Sequence, residues 1–76
     1  MTSLDQLKPH MRGIITDLHV GQELGRRMAG LGLRPGNTIE VIRLAPLKGP
    51  MQVRIGHTDL MLRRNEAAQI GIRLAP

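Results

Sequence analysis

The clearest hydrophobic pattern in the chain is a helical stripe within residues 21–36. Leu24, Met28 and Leu31 recur at the spacing of one helix face. The charged and amide side chains between them fall on the opposite face. The pattern predicts a short amphipathic helix that packs its apolar side against the rest of the protein.

The residues that follow this stripe predict an abrupt helix end. Gly32 lies where a left-handed residue commonly ends a helix, and Pro35-Gly36 has the composition of a type II turn. Leu33 has two interpretations. It can fold back over the last helical turn, or it can lie exposed on the turn that leads into the next strand.

Most of the remaining chain shows the two-residue alternation of half-buried strands. The first strand is predicted at Arg12–Val20, with Ile14 and Leu18 facing inward. The segments with strand patterns are 12–20, 38–45, 51–56, 60–63 and 69–74, and the expected inward residues are Ile14, Val53, Ile55, Leu60, Leu62, Ile70 and Ile72. Five antiparallel strands in so short a chain leave two exposed edges unless the sheet closes, which favours a small barrel.

Two shorter segments have helical features. Ser3 to Gln6 can form one turn, with Leu4 and Leu7 directed inward before Lys8-Pro9 ends it. Asn65 is a candidate N-cap for a second turn. The predicted fold is therefore mainly β, with one short amphipathic helix inserted after the first strand.

Length and composition limit the class of protein. Seventy-six residues predict one domain over 1–76 with a marginal core, which makes a partner or weak self-association plausible. The chain has no cysteine and no apolar run long enough for a signal peptide or a membrane span. We expect a soluble cytoplasmic protein.

The charge balance favours anionic partners without identifying one. Eleven Lys and Arg against six Asp and Glu give a net charge of +5, and the nine arginines are spread along the chain. Dispersed arginines are typical of a solvated outer face, whereas nucleic-acid sites usually concentrate them. The absence of Phe, Tyr and Trp also removes the platforms on which single-stranded bases stack. No nucleic-acid partner is expected.

The sequence contains no recognisable catalytic set. None of the three histidines has metal-ligand spacing to another ligand on a shared helix, and the pairs His57 with Asp59 and Asp17 with His19 are interpreted as solvated pairs. The five methionines are interpreted as core filler. We predict no enzyme, no cofactor and no dedicated metal site.

Four stretches taken in order resemble the FeoA family. They are LDQLKPH, RGIITDL, RRMAGLGLRPGNTIEVIRLAP and DLMLRRNEAAQI. The family pattern R-L/M-x-x-L-G-L-x-P-G falls on Arg27 to Gly36, its A-P on Ala45-Pro46, and its L-R-x-x-E-A-x-x-I on Leu62 to Ile70. His10 departs from the pattern, because many members carry Gly there, and Gly30 weakens the helix.

The resemblance implies a fold and a role. The fold is an SH3-like barrel, and the role is that of a cytoplasmic accessory protein of bacterial ferrous iron uptake. Its partner is the GTPase-bearing cytoplasmic region of the FeoB membrane transporter, and the family is associated with transition metal ions. The alternatives are a basic module that binds nucleic acid or another anionic surface, and a regulatory domain like that of iron-dependent repressors.

The partner-binding residues are expected on the helix and the loops beside it, because the inward faces of the strands are buried. The candidates are Arg26, Arg27, Leu33, Arg34 and Leu47.

Overall fold

Six antiparallel strands form a single sheet in the computed structural model, which describes residues 2–75. The strands are β1 (Thr2–Ser3), β2 (Arg12–Leu18), β3 (Thr38–Leu44), β4 (Met51–Ile55), β5 (Thr58–Leu62) and β6 (Ile70–Leu74); the helices are α1 (Gln22–Gly30) and α2 (Arg64–Ala67), with a 3₁₀ turn at Leu4–Gln6. The strand order is β1-β6-β2-β3-β4-β5. The mainly β class with one longer helix after the first long strand is confirmed, and β1 is an additional strand.

The sheet curls into a barrel that hydrogen bonds do not close. β1 and β5 are the two edge strands of the described sheet. The 3₁₀ turn contacts both α2 and β6, and Leu4, Leu7 and Ala67 are fully buried there. The N-terminal segment and α2 therefore help to complete the enclosure of the core, where the sequence alone suggested a sheet closed on itself.

The inward face of β2 differs from the prediction. Ile15 is buried and Ile14 is only half-buried, so the expected parity is wrong. The pairing of β2 with β6 shifts register between Ile15 and Asp17, which marks a β-bulge. A bulge inserts one extra residue and reverses the alternation beyond it, and Leu18 consequently still packs against the core.

The predicted inward faces of the last three strands are largely correct. Val53, Leu62, Ile70 and Ile72 are buried, and Ile55 and Leu60 pack against them while remaining partly accessible. Leu74, at the end of β6, is exposed. A two-residue loop, Gly56-His57, connects β4 to β5, with Gly56 at positive φ as in type II′ hairpin turns.

α2 begins earlier than predicted. The N-cap is Arg63, and its backbone N–H donates to Glu66 Oε1 at 2.9 Å. Asn65 is the second residue of the helix, so its assignment as the N-cap is wrong. Glu66, the third residue of the helix, accepts this hydrogen bond. The helix starts after Arg63 because the bond satisfies a backbone donor there.

His10 occupies a position that suits glycine. Its φ is +73°, in the left-handed region that glycine adopts at least cost. The backbone N–H of His10 donates to the Val41 carbonyl at 2.7 Å. This bond holds the bend through which the chain passes from the N-terminal segment into β2.

Candidate protein-docking surfaces

The end of α1 forms a Schellman motif. The Leu33 N–H donates to the Met28 carbonyl at 2.9 Å, and the Gly32 N–H donates to the Ala29 carbonyl at 3.0 Å. Gly32 has a φ of +93°, as predicted. The Leu33 side chain is 0% exposed and shares the core with Met28. Leu33 therefore seals the helix end, and its assignment to an exposed docking surface is wrong.

The exposure of Leu31 also differs from the prediction, in the opposite direction to that of Leu33. The stripe predicted that it would be buried, but it is 50% exposed. The regular helix ends at Gly30, and the left-handed Gly32 then reverses the chain. The apolar position against the core passes to Leu33, and Leu31 remains at the surface.

Hydrogen bonds fix the turn after α1 to the first long strand. The Asn37 N–H donates to the Arg34 carbonyl at 3.1 Å, and Gly36 between them has a φ of +96°, which confirms the type II turn. Gly36 donates to the Ile15 carbonyl at 2.7 Å, and Ile15 donates to the Asn37 carbonyl at 2.9 Å. The Asn37 side-chain Nδ2 also donates to the Gly32 carbonyl at 2.7 Å. This role of the Asn37 side chain was not predicted from the sequence.

We call four exposed residues of α1, its C-cap and the following turn the α1 surface: Arg26, Arg27, Leu31 and Arg34. Glu23, in the first turn of α1, is also exposed. Within residues 2–75, none of its three arginines lies within 4.0 Å of a carboxylate oxygen. The surface thus presents three guanidinium groups without an ion pair to any of the described residues, beside the apolar side chain of Leu31.

The fold separates Leu47 from the α1 surface. α1 lies at the end of the barrel where β3 begins and β4 ends, since the Gly32 backbone lies against the Ile55 side chain. The loop that carries Leu47 joins the opposite ends of these strands, before Met51. The five residues of β4 span roughly 13 Å. The five candidate residues therefore do not form one surface.

The loop at residues 45–50 presents Leu47 to solvent. Leu47 is 98% exposed, and Leu47 and Lys48 have φ values of +57° and +56°. Left-handed conformations at non-glycine residues cost of the order of 1 kcal/mol or more each, and they persist only where surrounding contacts impose them. The protruding loop predicted here is confirmed.

Three hydrogen bonds impose the loop conformation. The Ala45 N–H donates to the Pro50 carbonyl at 3.1 Å, and the Gly49 N–H donates to the Pro46 carbonyl at 3.0 Å. The Arg64 Nε, from α2, donates to the Gly49 carbonyl at 3.0 Å. The loop is thereby attached to the neighbouring helix.

Other polar side chains pair with one another. Arg54 forms a two-pronged bond with Asp59, at 2.6 Å and 3.0 Å, and Gln52 donates to the same carboxylate at 3.1 Å. The hydrogen bond from Arg54 lowers the pKa of Asp59. Asp17 pairs with His19 and accepts from the Thr16 hydroxyl at 2.7 Å. Between residues 2 and 75, no group of three or more His, Cys, Asp or Glu side chains is arranged to hold a metal ion.

No helix within the described part of the chain is both long and apolar enough to cross a membrane.

The architecture matches that of known small β domains. The FeoA structure from Stenotrophomonas maltophilia, solved with zinc and described as a prokaryotic SH3 domain protein, aligns with a TM-score of 0.82 at 23% identity, covering 96% of this chain and 91% of that chain. The chain is thus a small SH3-like β domain. The family model for the FeoA domain matches residues 2–74, and the chain belongs to that family.

Two relatives of higher sequence identity carry related names. The FeoA protein of Chlorobium tepidum, solved in solution, is 33% identical with a TM-score of 0.92, over 99% of this chain and 71% of that chain. A protein of Porphyromonas gingivalis strain ATCC BAA-308 / W83 is 31% identical over 71 residues, and is named as a fusion of Fe(2+) transport protein A with the Fe(2+) transporter FeoB. The match covers 79% of this chain and 8% of that relative.

Proposed function

We propose that this protein is an accessory of ferrous iron transport that docks on the cytoplasmic, GTPase-bearing region of a FeoB-type transporter and modulates transport. The observation that carries the proposal is the Porphyromonas gingivalis relative, which is named for both units in one polypeptide. Covalent linkage raises the effective concentration of one unit around the other. Such a fusion is expected where the two units act together.

The α1 surface is the proposed contact with the transporter. Arg26, Arg27 and Arg34 are exposed and have no intramolecular ion pair among the described residues, so they are available to an acidic partner. Arginine is enriched at the energetically important positions of protein interfaces, and Leu31 supplies an adjacent apolar contact. The hydrogen-bonded turn limits the conformational entropy lost on binding.

The test is calorimetric titration of the purified protein with the purified cytoplasmic region of the transporter, with and without guanine nucleotide. Wild type is expected to bind. Arg27→Glu is expected to weaken binding by about tenfold or more, since it places a carboxylate opposite an acidic surface. Arg73→Glu is the matched control, because Arg73 is exposed on β6, outside the α1 surface.

Two outcomes contradict the proposal. The first is no binding of wild type in either nucleotide state. The second is equal weakening by Arg27→Glu and Arg73→Glu, which would indicate a general charge effect. Circular dichroism and thermal unfolding should be nearly unchanged in both variants, because substitutions at such exposed positions usually alter stability little.

A further inference from the structure

The loop that carries Leu47 lies beside a cluster of cations. Lys48 belongs to the loop, and Arg63 and Arg64 line the same shallow cleft from the start of α2. We name Leu47, Lys48, Arg63 and Arg64 the basic tip. Glu66, the one carboxylate within α2, does not line this cleft. Its Oε1 accepts a hydrogen bond from the Arg63 backbone N–H.

We propose that the basic tip docks on an anionic phospholipid surface, with Leu47 inserted among the headgroups and the cations around it. The tip combines one apolar side chain with several cations, and an anionic lipid surface can interact with both. An apolar side chain gains free energy on leaving water, and each Lys or Arg near an anionic leaflet adds electrostatic attraction. The inference does not rest on the proposed docking to the transporter.

The shape of the tip favours a lipid surface over a protein pocket. A stable protein interface needs a buried apolar centre contributed by several residues. The basic tip offers a single protruding leucine, which is 98% exposed and flanked by charges. One apolar side chain with surrounding cations matches the mixed apolar and anionic composition of a headgroup layer.

The backbone presents Leu47 in a prearranged position. Leu47 and Lys48 are held in left-handed conformations by the bonds that close the loop and by the Arg64 contact to Gly49. A loop ordered before binding loses less conformational entropy when it binds. The loop also lies at the opposite end of the β3–β4 hairpin from the α1 surface, so both surfaces can be occupied together.

The experiment is flotation of the purified protein with vesicles, in the absence of any transporter. One set contains phosphatidylcholine alone, and the other contains equal parts phosphatidylcholine and phosphatidylglycerol. Wild type is expected to float with the anionic set only, and less at higher salt because screening weakens the attraction.

The variants preserve the loop backbone. Asn tolerates the left-handed region, so Leu47→Asn and Lys48→Asn are expected to fold. Arg63→Gln removes a charge and retains the backbone N–H that Glu66 uses. Loss of one cation is expected to lower vesicle binding about fivefold, and Leu47→Asn is expected to lower it at least severalfold. Leu74→Asn is the matched control, because Leu74 is an exposed apolar residue at the end of β6, outside both the tip and the α1 surface, and this variant should float like wild type.

Several results would overturn the inference. The first is no flotation of wild type, and the second is equal flotation with both lipid sets. The third is a loss of flotation in Leu74→Asn as large as that in Leu47→Asn. If inorganic phosphate releases the protein from the anionic vesicles more strongly than chloride does at equal ionic strength, the ligand of the cleft is a free anion. If Leu47→Asn leaves flotation unchanged and weakens the complex with the transporter region, the occupant of the tip is a protein.

Discussion

Gly36 is the residue that sets the direction of the chain between α1 and β3. A side chain placed there would meet no atom within 4 Å, so the requirement for glycine comes from its φ of +96° and not from crowding. β-branched residues fit this region of conformational space poorly. The turn is therefore sensitive to substitution although it lies at the surface.

Gly36→Val is expected to lower the free energy of unfolding by more than about 1 kcal/mol. In a domain of this size, each kcal/mol corresponds to a decrease in Tm of about 4–8 °C. Gly30→Ala is the control, because Gly30 is helical with open space around it, and Ala should raise stability by a few tenths to about 1 kcal/mol. An unchanged Tm in Gly36→Val would contradict the turn assignment.

The Arg54–Asp59 pair makes the stability of the fold depend on pH. The hydrogen bond from Arg54 lowers the pKa of Asp59 in the folded protein, below the ordinary value of about 3.9. The pair therefore stabilises the fold at pH values above the ordinary pKa of an aspartate. This stabilisation is lost as the pH falls through the lowered pKa of Asp59 in the folded protein. Both side chains are solvent-accessible, so the contribution is small.

NMR titration of the carboxyl carbons checks this prediction. Arg54→Gln is expected to move the Asp59 titration upward toward the ordinary value, whereas Arg73→Gln, on another strand, should leave it in place. Titration of Asp59 at the same pH in wild type and Arg54→Gln would show that the pair does not form in solution.

At the scale of elements, α1 depends on its C-terminal connection. The helix has nine residues, of which Gly25 is internal and Gly30 is the last, so its intrinsic stability is low. Met28 and Leu33 anchor its last turn in the core, and the Asn37 side chain binds the Gly32 carbonyl. The orientation of the α1 surface is thus determined by the turn that follows the helix.

Asn37→Ala is expected to lower the free energy of unfolding by about 1 kcal/mol, because it removes a part-buried side-chain hydrogen bond. Urea unfolding should show this as a lower midpoint with an unchanged slope. Asn65→Ala is the matched control, since Asn65 is exposed in α2 and is expected to stay within about 0.5 kcal/mol of wild type. Equal midpoints in Asn37→Ala and wild type would mean that the side-chain bond adds nothing to stability.

At the scale of the whole molecule, the N-terminal segment completes the core. Leu4 is 0% exposed and Leu7 is 1% exposed, although both lie near the start of the chain. β1 adds an edge strand to β6, and the 3₁₀ turn packs on α2. A domain of this length has a free energy of unfolding of only about 4–11 kcal/mol, so burial of the N-terminal segment is a large contribution to it.

Leu4→Ala is expected to destabilise the protein by about 2–5 kcal/mol, the range for a buried leucine. Leu74→Ala provides the control, because Leu74 is half exposed at the end of β6 and should cost much less. Thermal unfolding followed by circular dichroism measures both. Similar Tm values for the two variants would show that the N-terminal segment does not pack in solution as it does here.

The molecule also separates its two candidate surfaces. The α1 surface and the basic tip lie at opposite ends of the β3–β4 hairpin, and both are dominated by Arg and Lys. The dispersed arginines of the sequence therefore do not form a single patch, and four others are exposed elsewhere on the strands: Arg12, Arg43, Arg54 and Arg73. Of the proposed partner residues, Arg26, Arg27 and Arg34 remain on one surface, and Leu47 belongs to the other.

Local sequence determined the features that depend on neighbouring residues. Gly32 and Gly36 were correctly predicted at positive φ, because the helix end and the type II turn are governed by backbone sterics over a few residues. The alternation of Val53 with its neighbours, and of Ile70 with Ile72, identified the buried faces of regular strands. The exposure of Leu47 followed from its position between two prolines.

Features that depend on pairing between distant segments could not be predicted from local sequence and are seen first in the folded structure. The bulge between Ile15 and Asp17 arises from the register with β6, and it reversed the expected face of Ile14. The choice of Leu33 over Leu31 for the core depends on where α1 meets the barrel. The separation of Leu47 from the α1 surface follows from strand order, which residues distant in sequence establish together and no local pattern encodes.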